Sequence, residues 1–285
     1  MNAPLMPGGR EHSARDGVRL FIRCSGATAG PERGTVLLTH GMGEHSSRYY
    51  HVIRRLNATG LRVVAWDLRG HGRSGGARGD IRDYAVLVDD LLEVWGLPEI
   101  QASGEPVYLY GHSLGGQITL NFAVRHQPRA AGLIITSPWL RLAFRPPRWK
   151  VAIASLAAML WPTLTQDTEV VPARLSRDQA FLRSMPDPQL VHHRMSARMY
   201  HALTAGAARA AREAVHLSYP MLLVHGSRDP VTSAAATEEF FHALESRDKS
   251  LIIVPESLHE THNDLCRESV LDQITAWLDA RLDRQ

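Results

Sequence analysis

Five consecutive residues near the middle of the chain, Gly111-His112-Ser113-Leu114-Gly115, constrain its fold more than any other stretch. Residues 106–110, which precede them, are apolar and β-prone, whereas residues 114–124 carry apolar side chains at helical spacing. A strand therefore meets a helix at Ser113. In such a turn the backbone of the serine is strained and its hydroxyl is held clear of the sheet, as a nucleophile requires. The glycines fit because strand and helix backbones pass too close there for a Cβ atom.

Apolar, β-prone runs alternate with helical patterns along most of the chain. Most of these runs are continuously apolar, which is typical of strands buried on both faces of a sheet. The alternation predicts an α/β fold with a mostly parallel central sheet flanked by helices. Strands are predicted at residues 18–23, 35–39, 62–66, 106–110, 132–136, 220–224 and 250–254.

The alternation stops between residues 137 and 217, where prolines, arginines and helix-like stretches follow one another without a convincing strand. A segment of this length is too long to be one loop. We therefore predict a helical cap inserted into an α/β core, with core residues 1–136, cap residues 137–217 and core residues 218–285. The helix-like stretches cover residues 150–160, 176–185, 190–203 and 205–215.

The composition is that of one large globular α/β domain or of a domain that carries an insertion, because 44% of the 285 residues are hydrophobic and 21% are charged. A net charge of +3 without basic runs argues against a nucleic-acid partner. Residues 1–16 lack the apolar stretch of a signal peptide, and the longest apolar run, residues 151–160, is too short to span a bilayer. We expect a soluble, cytoplasmic protein in which Cys24 and Cys266 are buried free thiols.

A serine hydroxyl is a weak nucleophile at neutral pH, so Ser113 needs a base and an acid that orients the base. Asp229 and His259 each lie in a loop that follows a predicted strand. The three residues thus come in the chain order nucleophile, acid, base that a hydrolase turn of this kind requires. His262 lies in the same loop as His259 and is an alternative base, but His259 is nearer the end of the strand.

Two further loops bear on the chemistry. Met42 has a glycine on each side just past a buried strand, where a backbone N–H can point at a ligand, and Leu114 directly follows Ser113. These two amides are the candidates for an oxyanion hole.

Asp67 and His71, in a glycine-rich loop, look like a second acid and base. We favour a loop held by side-chain-to-backbone hydrogen bonds, because turns recruit Asp and Gly.

Several of these segments resemble the α/β-hydrolase fold, in particular its monoacylglycerol lipase and lysophospholipase-like branch. The resemblance covers nearly the whole chain, least of all the cap and the N-terminal residues. Its most specific part is the stretch Gly-Glu-His-Ser-Ser-Arg-Tyr at residues 43–49. The segments that carry it are residues 40–49, 67–75, 111–116, 226–232 and 259–264.

The resemblance implies a serine carboxylic-ester hydrolase that releases a fatty acid from monoacylglycerol or a similar single-chain lipid ester through an acyl-enzyme. It implies no metal and no organic cofactor. The implied catalytic residues are Ser113, Asp229 and His259, with the amides of Met42 and Leu114 as oxyanion donors. The residues implied to approach the polar head of the substrate are Glu44, Arg48 and His262.

Other activities share this triad and stay open, namely those of general carboxylesterases, thioesterases, peptidases and carbon–carbon bond hydrolases. Haloalkane dehalogenases and epoxide hydrolases are excluded, because their nucleophile is an aspartate and this turn carries Ser113. A non-catalytic binding protein on the same fold would be expected to lack a triad member. The head group, the acyl-chain length and the oligomeric state do not follow from the sequence.

The start of the predicted cap mixes apolar and basic residues. Such a surface can dip into the interface of an anionic bilayer, and a long acyl chain is more easily taken from a membrane than from water. A cap whose apolar face packs over an acyl pocket gives the same periodicity, so both interpretations stay open, with a slight preference for peripheral membrane contact. The residues concerned are Trp139, Leu140, Leu142, Phe144 and Trp149, with Arg141, Arg145, Arg148 and Lys150.

Overall fold

A computed structural model of the chain describes residues 8–28, 30–101, 104–144, 161, 163–168 and 170–283. Within these ranges the strands are β1 (Arg10–Ser13), β2 (Arg19–Ser25), β3 (Gly34–Thr39), β4 (Leu61–Asp67), β5 (Val107–His112), β6 (Gly132–Thr136), β7 (Thr165–Asp167), β8 (Arg194–Ser196), β9 (Met221–Gly226) and β10 (Lys249–Val254). The α-helices are α1 (Tyr50–Ala58), α2 (Ala85–Trp95), α3 (Pro98–Gln101), α4 (Leu114–His126), α5 (Pro172–Leu175), α6 (Gln179–Arg183), α7 (Ala197–Glu213), α8 (Ala234–Ala243) and α9 (Arg267–Leu282). Short 3-10 helices cover Ser46–Tyr49, Pro188–Leu190, Ala214–His216 and Thr261–Asn263.

The large sheet has the strand order β1-β2-β4-β3-β5-β6-β9-β10. Strand β2 pairs antiparallel with both β1 and β4, and every following pair, from β4 to β10, is parallel. Parallel strands are joined by helical crossovers that cover both faces of the sheet. For this reason β3, β5, β6 and β9 are buried along their whole length. The predicted α/β fold with a mostly parallel sheet is confirmed.

Two apolar clusters cover the two faces of the sheet. One includes residues of α2, α4, α7 and α8, among them Phe122 and Leu203, and the other includes residues of α1 and α9, among them Trp277. Helix α7 lies in the predicted cap, yet it packs on α4, where the Asn121 side-chain amide donates to the Gly206 carbonyl at 3.0 Å. The end of the predicted cap therefore takes part in the packing of the core. The division at residues 137 and 217 stays a prediction.

The segment between β6 and β9 differs from its prediction in two ways. Strands β7 and β8 pair antiparallel there, so the expectation of no strand is wrong; each has three mostly polar residues and forms no apolar run. Most of the predicted stretches 190–203 and 205–215 forms one helix, α7, which begins after Ser196, whose Oγ accepts a hydrogen bond from the Met199 amide at 3.0 Å. The helix prediction is wrong for residues 191–196, which include β8. The stretch 150–160 lies outside the described residues.

The residues predicted for a membrane surface separate in the structure. Trp139 and Leu140 are 6% and 7% exposed and belong to the apolar core cluster, so their prediction as surface residues is wrong. Leu142 is half-buried against the same cluster, and Phe144 is exposed. Residues 145–150, which include the remaining candidates, lie outside the described ranges.

Cys24 and Cys266 are both free, as predicted, but each is half-buried, so the expectation of full burial is wrong. Cys24 lies on β2, near the antiparallel edge of the sheet. Among the residues that the structure describes, no helix combines the length and the apolar character needed to cross a membrane.

Candidate active site

Ser113 lies between β5 and α4, at the carboxyl end of the strand. Its backbone has φ 52° and ψ −113°, in the left-handed half of conformational space, which is strained for a residue with a Cβ atom. A Cβ at Gly111 would lie 2.6 Å from the Gly115 carbonyl oxygen, and one at Gly115 would overlap the Thr39 carbonyl. The close approach of β5, α4 and β3 therefore requires both glycines, as the sequence predicts.

Three side chains from separate loops meet at this turn. His259 Nε2 is 3.0 Å from Ser113 Oγ, and His259 Nδ1 is 2.7 Å from Asp229 Oδ2. Asp229 follows β9 and His259 follows β10, so neighbouring parallel strands bring both to the sheet edge at which β5 ends. With a carboxylate against Nδ1, the neutral imidazole carries its proton there and offers the lone pair of Nε2 to the serine hydroxyl.

Asp229 and His259 stabilise each other's charged form. Burial opposes the ionisation of Asp229, but attraction to His259 and hydrogen bonds from His225 and His259 hold its pKa well below the ordinary value. Burial likewise opposes a charge on His259, but Asp229 raises the pKa of His259, with smaller contributions from Glu260 and Glu44. An imidazole whose protonated form is stabilised in this way can take the proton of the serine as that hydroxyl attacks.

The loop after β3 lies directly against the serine. A Cβ at Gly41 would come within 3.2 Å of Ser113 Cβ. The amides of Met42 and Leu114 have no protein acceptor in the described part of the chain. Amides left without an acceptor beside a nucleophile can stabilise the negative oxygen of a tetrahedral intermediate. The assignment of these two amides as oxyanion donors stays a prediction.

Glu44 and Arg48 belong to a buried charge network that joins this loop to the loop of the base. Glu44 Oε1 accepts from the Gly41 amide at 2.5 Å and from the Tyr49 hydroxyl at 2.6 Å, while Oε2 accepts from Arg48 Nε at 3.3 Å. Arg48 also donates to both carboxylate oxygens of Glu260, at 2.8 and 2.6 Å. Only 5% of Glu44 and 7% of Arg48 are exposed. Their contact with a substrate stays a prediction, and these bonds favour the alternative that they support the loops.

His262 is separate from the triad although it shares the loop of the base. Its ring has no exposed surface, stacks on Tyr49 with centroids 4.8 Å apart and meets the edge of His112 at the same distance. Burial holds the pKa of His262 well below its ordinary value. Neither ring nitrogen has a hydrogen-bond partner among the described residues. His259, and not His262, thus stands between the serine and the aspartate, and a contact of His262 with a head group stays a prediction.

Asp67 and His71 do not pair with each other. Asp67 accepts hydrogen bonds from the Ser46 and Arg73 amides, both at 2.8 Å. His71 Nδ1 donates to the Arg69 carbonyl at 3.0 Å. Side-chain-to-backbone hydrogen bonds hold this loop, which confirms the interpretation favoured from the sequence.

Three buried residues that the sequence analysis did not single out contact the triad. Thr232 Oγ1 donates to Asp229 Oδ2 at 2.8 Å, and His225 Nε2 lies 3.1 Å from the same oxygen. Ser137 Oγ donates to the His259 carbonyl at 2.7 Å. Thr232 and His225 could have been suspected from their nearness to Asp229 in the chain, whereas Ser137 comes from the loop after β6 and no sequence signal marks it.

The segment between β6 and β9 contacts both catalytic loops. The Glu260 amide, next to the base, donates to the Leu175 carbonyl at 2.8 Å. The His192 amide donates to the carbonyl of Gly43, next to Met42, at 2.9 Å. This segment therefore adjoins the loop of the base and the loop of the candidate oxyanion donor.

The site has a strained serine at a strand–helix turn, and an imidazole and a buried carboxylate lie in line behind it. On a mostly parallel sheet, this arrangement defines a serine hydrolase of the α/β-hydrolase fold. The chain belongs to the Hydrolase_4 family, described as serine aminopeptidase S33, whose model matches residues 30–266.

Known proteins of similar sequence and structure include monoacylglycerol lipases. The chain is 32% identical to the monoacylglycerol lipase of Mycolicibacterium smegmatis over 88% of this chain and 89% of that protein. It is 30% identical to the monoglyceride lipase of Homo sapiens over 93% of this chain and 88% of that protein. The crystal structure of Paleococcus ferrophilus monoacylglycerol lipase superposes with a TM-score of 0.82 at 30% identity, covering 92% of this chain and 99% of that one.

Proposed function

We propose that this protein hydrolyses the ester of monoacylglycerol, or of a similar single-chain lipid, and releases the fatty acid through an acyl-enzyme on Ser113. The observation that carries the proposal is the line of contacts from Ser113 Oγ through His259 to Asp229, in a chain similar over most of its length to monoacylglycerol lipases. Hydrolysis of a carboxylic ester is chemistry that such a line of groups performs on its own.

In the first half of the reaction, Ser113 Oγ attacks the ester carbonyl carbon while His259 Nε2 takes the hydroxyl proton. Asp229 keeps the proton of the neutral imidazole on Nδ1 and stabilises the imidazolium that forms. The amides of Met42 and Leu114 stabilise the oxyanion, an effect worth about 3 kcal/mol per donor in other enzymes. His259 then gives its proton to the leaving alcohol oxygen as the carbon–oxygen bond breaks.

In the second half, a water molecule replaces the alcohol. His259 takes one proton from the water while its oxygen attacks the acyl carbon, and the same two amides stabilise the second oxyanion. The bond to Ser113 Oγ breaks, the serine regains its proton from His259, and the fatty acid leaves. The scheme uses no metal and no organic cofactor.

Amide hydrolysis is the second candidate function, because the family description names an aminopeptidase. The two candidates are separated by comparing 2-oleoylglycerol, the p-nitrophenyl esters of butyrate and decanoate, and an amino-acid p-nitroanilide. We expect turnover of the monoacylglycerol, a preference for the longer ester and no release from the anilide. Release from the anilide with no turnover of 2-oleoylglycerol would favour the peptidase instead.

The nucleophile is tested by covalent labelling. We expect a fluorophosphonate to add one label per chain, and Ser113→Ala to abolish both labelling and esterase activity. Labelling that survives Ser113→Ala would contradict the proposal, as would inhibition by EDTA. Failure to turn over either nitrophenyl ester would favour a non-catalytic binding protein.

A cytoplasmic location and peripheral membrane contact belong to the same proposal. Contact with a membrane is supported by large apolar side chains that the protein exposes in the segment between β6 and β9. These residues are Phe144, Trp161, Leu164 and Val171. A lipid substrate would reach the enzyme more readily from such a surface than from water.

A further inference from the structure

A second histidine touches the acid of the triad. Asp229 Oδ2 lies 3.1 Å from His225 Nε2 as well as 2.7 Å from His259 Nδ1. The side chains of His225 and Asp229 both have no exposed surface. His225 is the fifth of the six residues of β9 and stands four positions before Asp229, so the strand and the turn after it bring both side chains to one point. The reaction described above gives His225 no part.

The neighbours of His225 decide where its proton lies. Nε2 faces Asp229 Oδ2 at 3.1 Å and the Thr232 carbonyl oxygen at 3.2 Å. Neither an ionised carboxylate nor a carbonyl can donate, so Nε2 must carry the hydrogen. Nδ1 lies 2.8 Å from the hydroxyl of Thr237 on α8, which can donate. A ring protonated on Nε2 therefore satisfies every one of these contacts.

We propose that His225 is a positioning residue of the triad, whose Nε2–H holds Asp229 Oδ2 in line with the base and limits how strongly that oxygen attracts His259. The other carboxylate oxygen, Oδ1, is already fixed by the amides of Val231 and Thr232 at 2.7 and 3.0 Å. Beside the base, Oδ2 accepts from the Thr232 hydroxyl at 2.8 Å and from His225, so these two donors decide the geometry of Oδ2 toward the base. This inference rests on the proposed function, because it assigns a role within that triad.

Sharing one oxygen between two imidazoles has a measurable electrostatic consequence. A hydrogen bond to a carboxylate stabilises its charge, so the carboxylate attracts a second donor less strongly. Without the Nε2–H of His225, Asp229 would stabilise the imidazolium form of His259 more, and the pKa of His259 would rise further. His259 is also faced by Glu260, Glu44 and the ring of His112, none of which changes when position 225 is altered.

A purely structural role for His225 makes a different prediction. In that case the ring only fills the space between β9 and α8 and bonds Thr237. Its replacement would then lower the stability and leave the titration of His259 as it is. The titration therefore separates positioning from simple packing.

Three variants test the proposal. His225→Leu removes both ring nitrogens, and His225→Gln keeps a side-chain N–H that can reach Oδ2. His216→Gln is the matched control, because His216 is an exposed histidine that contacts Glu245. In His225→Leu we expect the acid limb of the kcat/KM profile for p-nitrophenyl butyrate to move to higher pH by about half a unit, with an about tenfold lower plateau. His225→Gln should restore the position of the limb, and His216→Gln should match the wild type.

Histidine NMR gives a readout that needs no turnover. In protein with 15N-labelled histidine we expect His225 to carry a hydrogen on Nε2, and the titration midpoint of His259 to rise in His225→Leu. An unchanged midpoint in a folded variant overturns the proposal even where activity falls. If His225→Leu does not fold, the wild-type spectrum decides, since a His225 protonated on Nδ1 overturns the proposal and one protonated on Nε2 supports it. A shifted midpoint in a protein that turns over no ester would support this contact and contradict the proposed function.

Discussion

Two histidines three positions apart in one loop show that surroundings, more than residue type, decide what a side chain can do. His259 contacts a hydroxyl on one side and a carboxylate on the other, so it can receive and return a proton. His262 is stacked on Tyr49 with both nitrogens unpartnered among the described residues, and burial keeps it neutral. The sequence favours His259 through its position after β10, but it carries no sign that His262 is fully buried.

These surroundings predict opposite effects of two substitutions. We expect His259→Ala to lower kcat by about ten-thousandfold, because it removes the base. His262→Ala should retain kcat but lower the free energy of unfolding by about 3 kcal/mol, because it replaces a buried ring with a cavity. Steady-state kinetics and urea unfolding of both variants test this. The reverse pattern would move the base to His262.

At the scale of elements, the 3-10 helix Ser46–Tyr49 and the loop of the base are joined through Arg48, which lies between Glu44 and Glu260. We expect Arg48→Met to lower the free energy of unfolding by about 3–5 kcal/mol, because it leaves two buried carboxylates without their partner. Turnover of monoacylglycerol and of p-nitrophenyl butyrate should fall by the same factor. Urea unfolding and parallel kinetics on the two substrates provide the measurement.

The control for this substitution is Arg212→Met, because Arg212 is exposed and pairs only with its exposed neighbour Glu213 among the residues described. Its effect on stability should stay within about 0.5 kcal/mol. A stable Arg48→Met variant that loses activity on monoacylglycerol alone would instead show that Arg48 reads the head group, as the resemblance implies.

Strands were predictable from the sequence where they are buried on both faces of the sheet, because such strands consist of a continuous run of apolar residues. The predicted strand 35–39 lies within β3, and the predicted strand 132–136 coincides with β6. Strand β1, with the sequence Arg-Glu-His-Ser, escapes such a pattern because it is a polar edge strand that forms by pairing with β2. The same holds for β7 and β8, which have three residues each.

The candidate site likewise has one part that was predictable from the sequence and one part that was not. Chain order and the turn motif predicted that Ser113, Asp229 and His259 would meet, because each follows a strand of one parallel sheet. The side chains that support them were not predictable, because contacts such as that of Glu260 with Arg48 join residues more than two hundred positions apart. Only the folded chain brings such groups together.

At the scale of the whole molecule, several buried or half-buried histidines around the site resist protonation. Burial is the main cause that lowers the pKa of His45, His51 and His192 to about 4 in each case. The unfolded chain binds these protons near pH 6.5, whereas the folded chain does not bind them until about pH 4. Stability therefore depends on these side chains staying neutral.

We expect the free energy of unfolding to fall as the pH drops from 6.5 to about 4, with about 3 kcal/mol from His51 alone. The raised pKa of His259 acts oppositely, because its stabilising effect is greatest in acid and is lost as the pH rises through the folded value. Urea unfolding between about pH 8 and pH 4 measures the sum. His51→Phe should flatten the curve, and a variant curve parallel to the wild type would contradict the prediction.

Contact with a membrane is also a property of the whole surface. We expect the protein to sediment with phosphatidylglycerol vesicles at low salt and less at high salt, because basic residues near the surface add about 1 kcal/mol each and salt screens them. Replacing Trp161 and Leu164 by Ser should reduce sedimentation, and the triple Arg141/Arg145/Arg148 to Ala variant should reduce it further. If the protein stays in the supernatant at low salt, the segment between β6 and β9 does not contact membranes, and the alternative that it is only a lid is favoured.

Arg141→Ala alone is the control in that experiment, since this residue pairs with Glu239 at 2.9 Å and its charge is already compensated. It should sediment as the wild type does. A loss equal to that of the triple variant would place the whole electrostatic effect on this one residue.

The left-handed backbone of Ser113 predicts a difference between two inactive variants. Glycine adopts this conformation without steric penalty, whereas alanine meets the same strain as serine. We expect Ser113→Gly to be about 1 kcal/mol more stable than Ser113→Ala, as measured by urea unfolding. Equal stabilities would indicate that the turn carries no strain.

At this position, the residue that favours stability, glycine, therefore differs from the residue that turnover requires, serine. A lineage that no longer needs to hydrolyse an ester is one substitution away from a more stable descendant, in which the fold persists and the reaction does not. On such a scaffold, relatives that bind without hydrolysing are expected to arise first by losing this serine and not by decay of the fold around it.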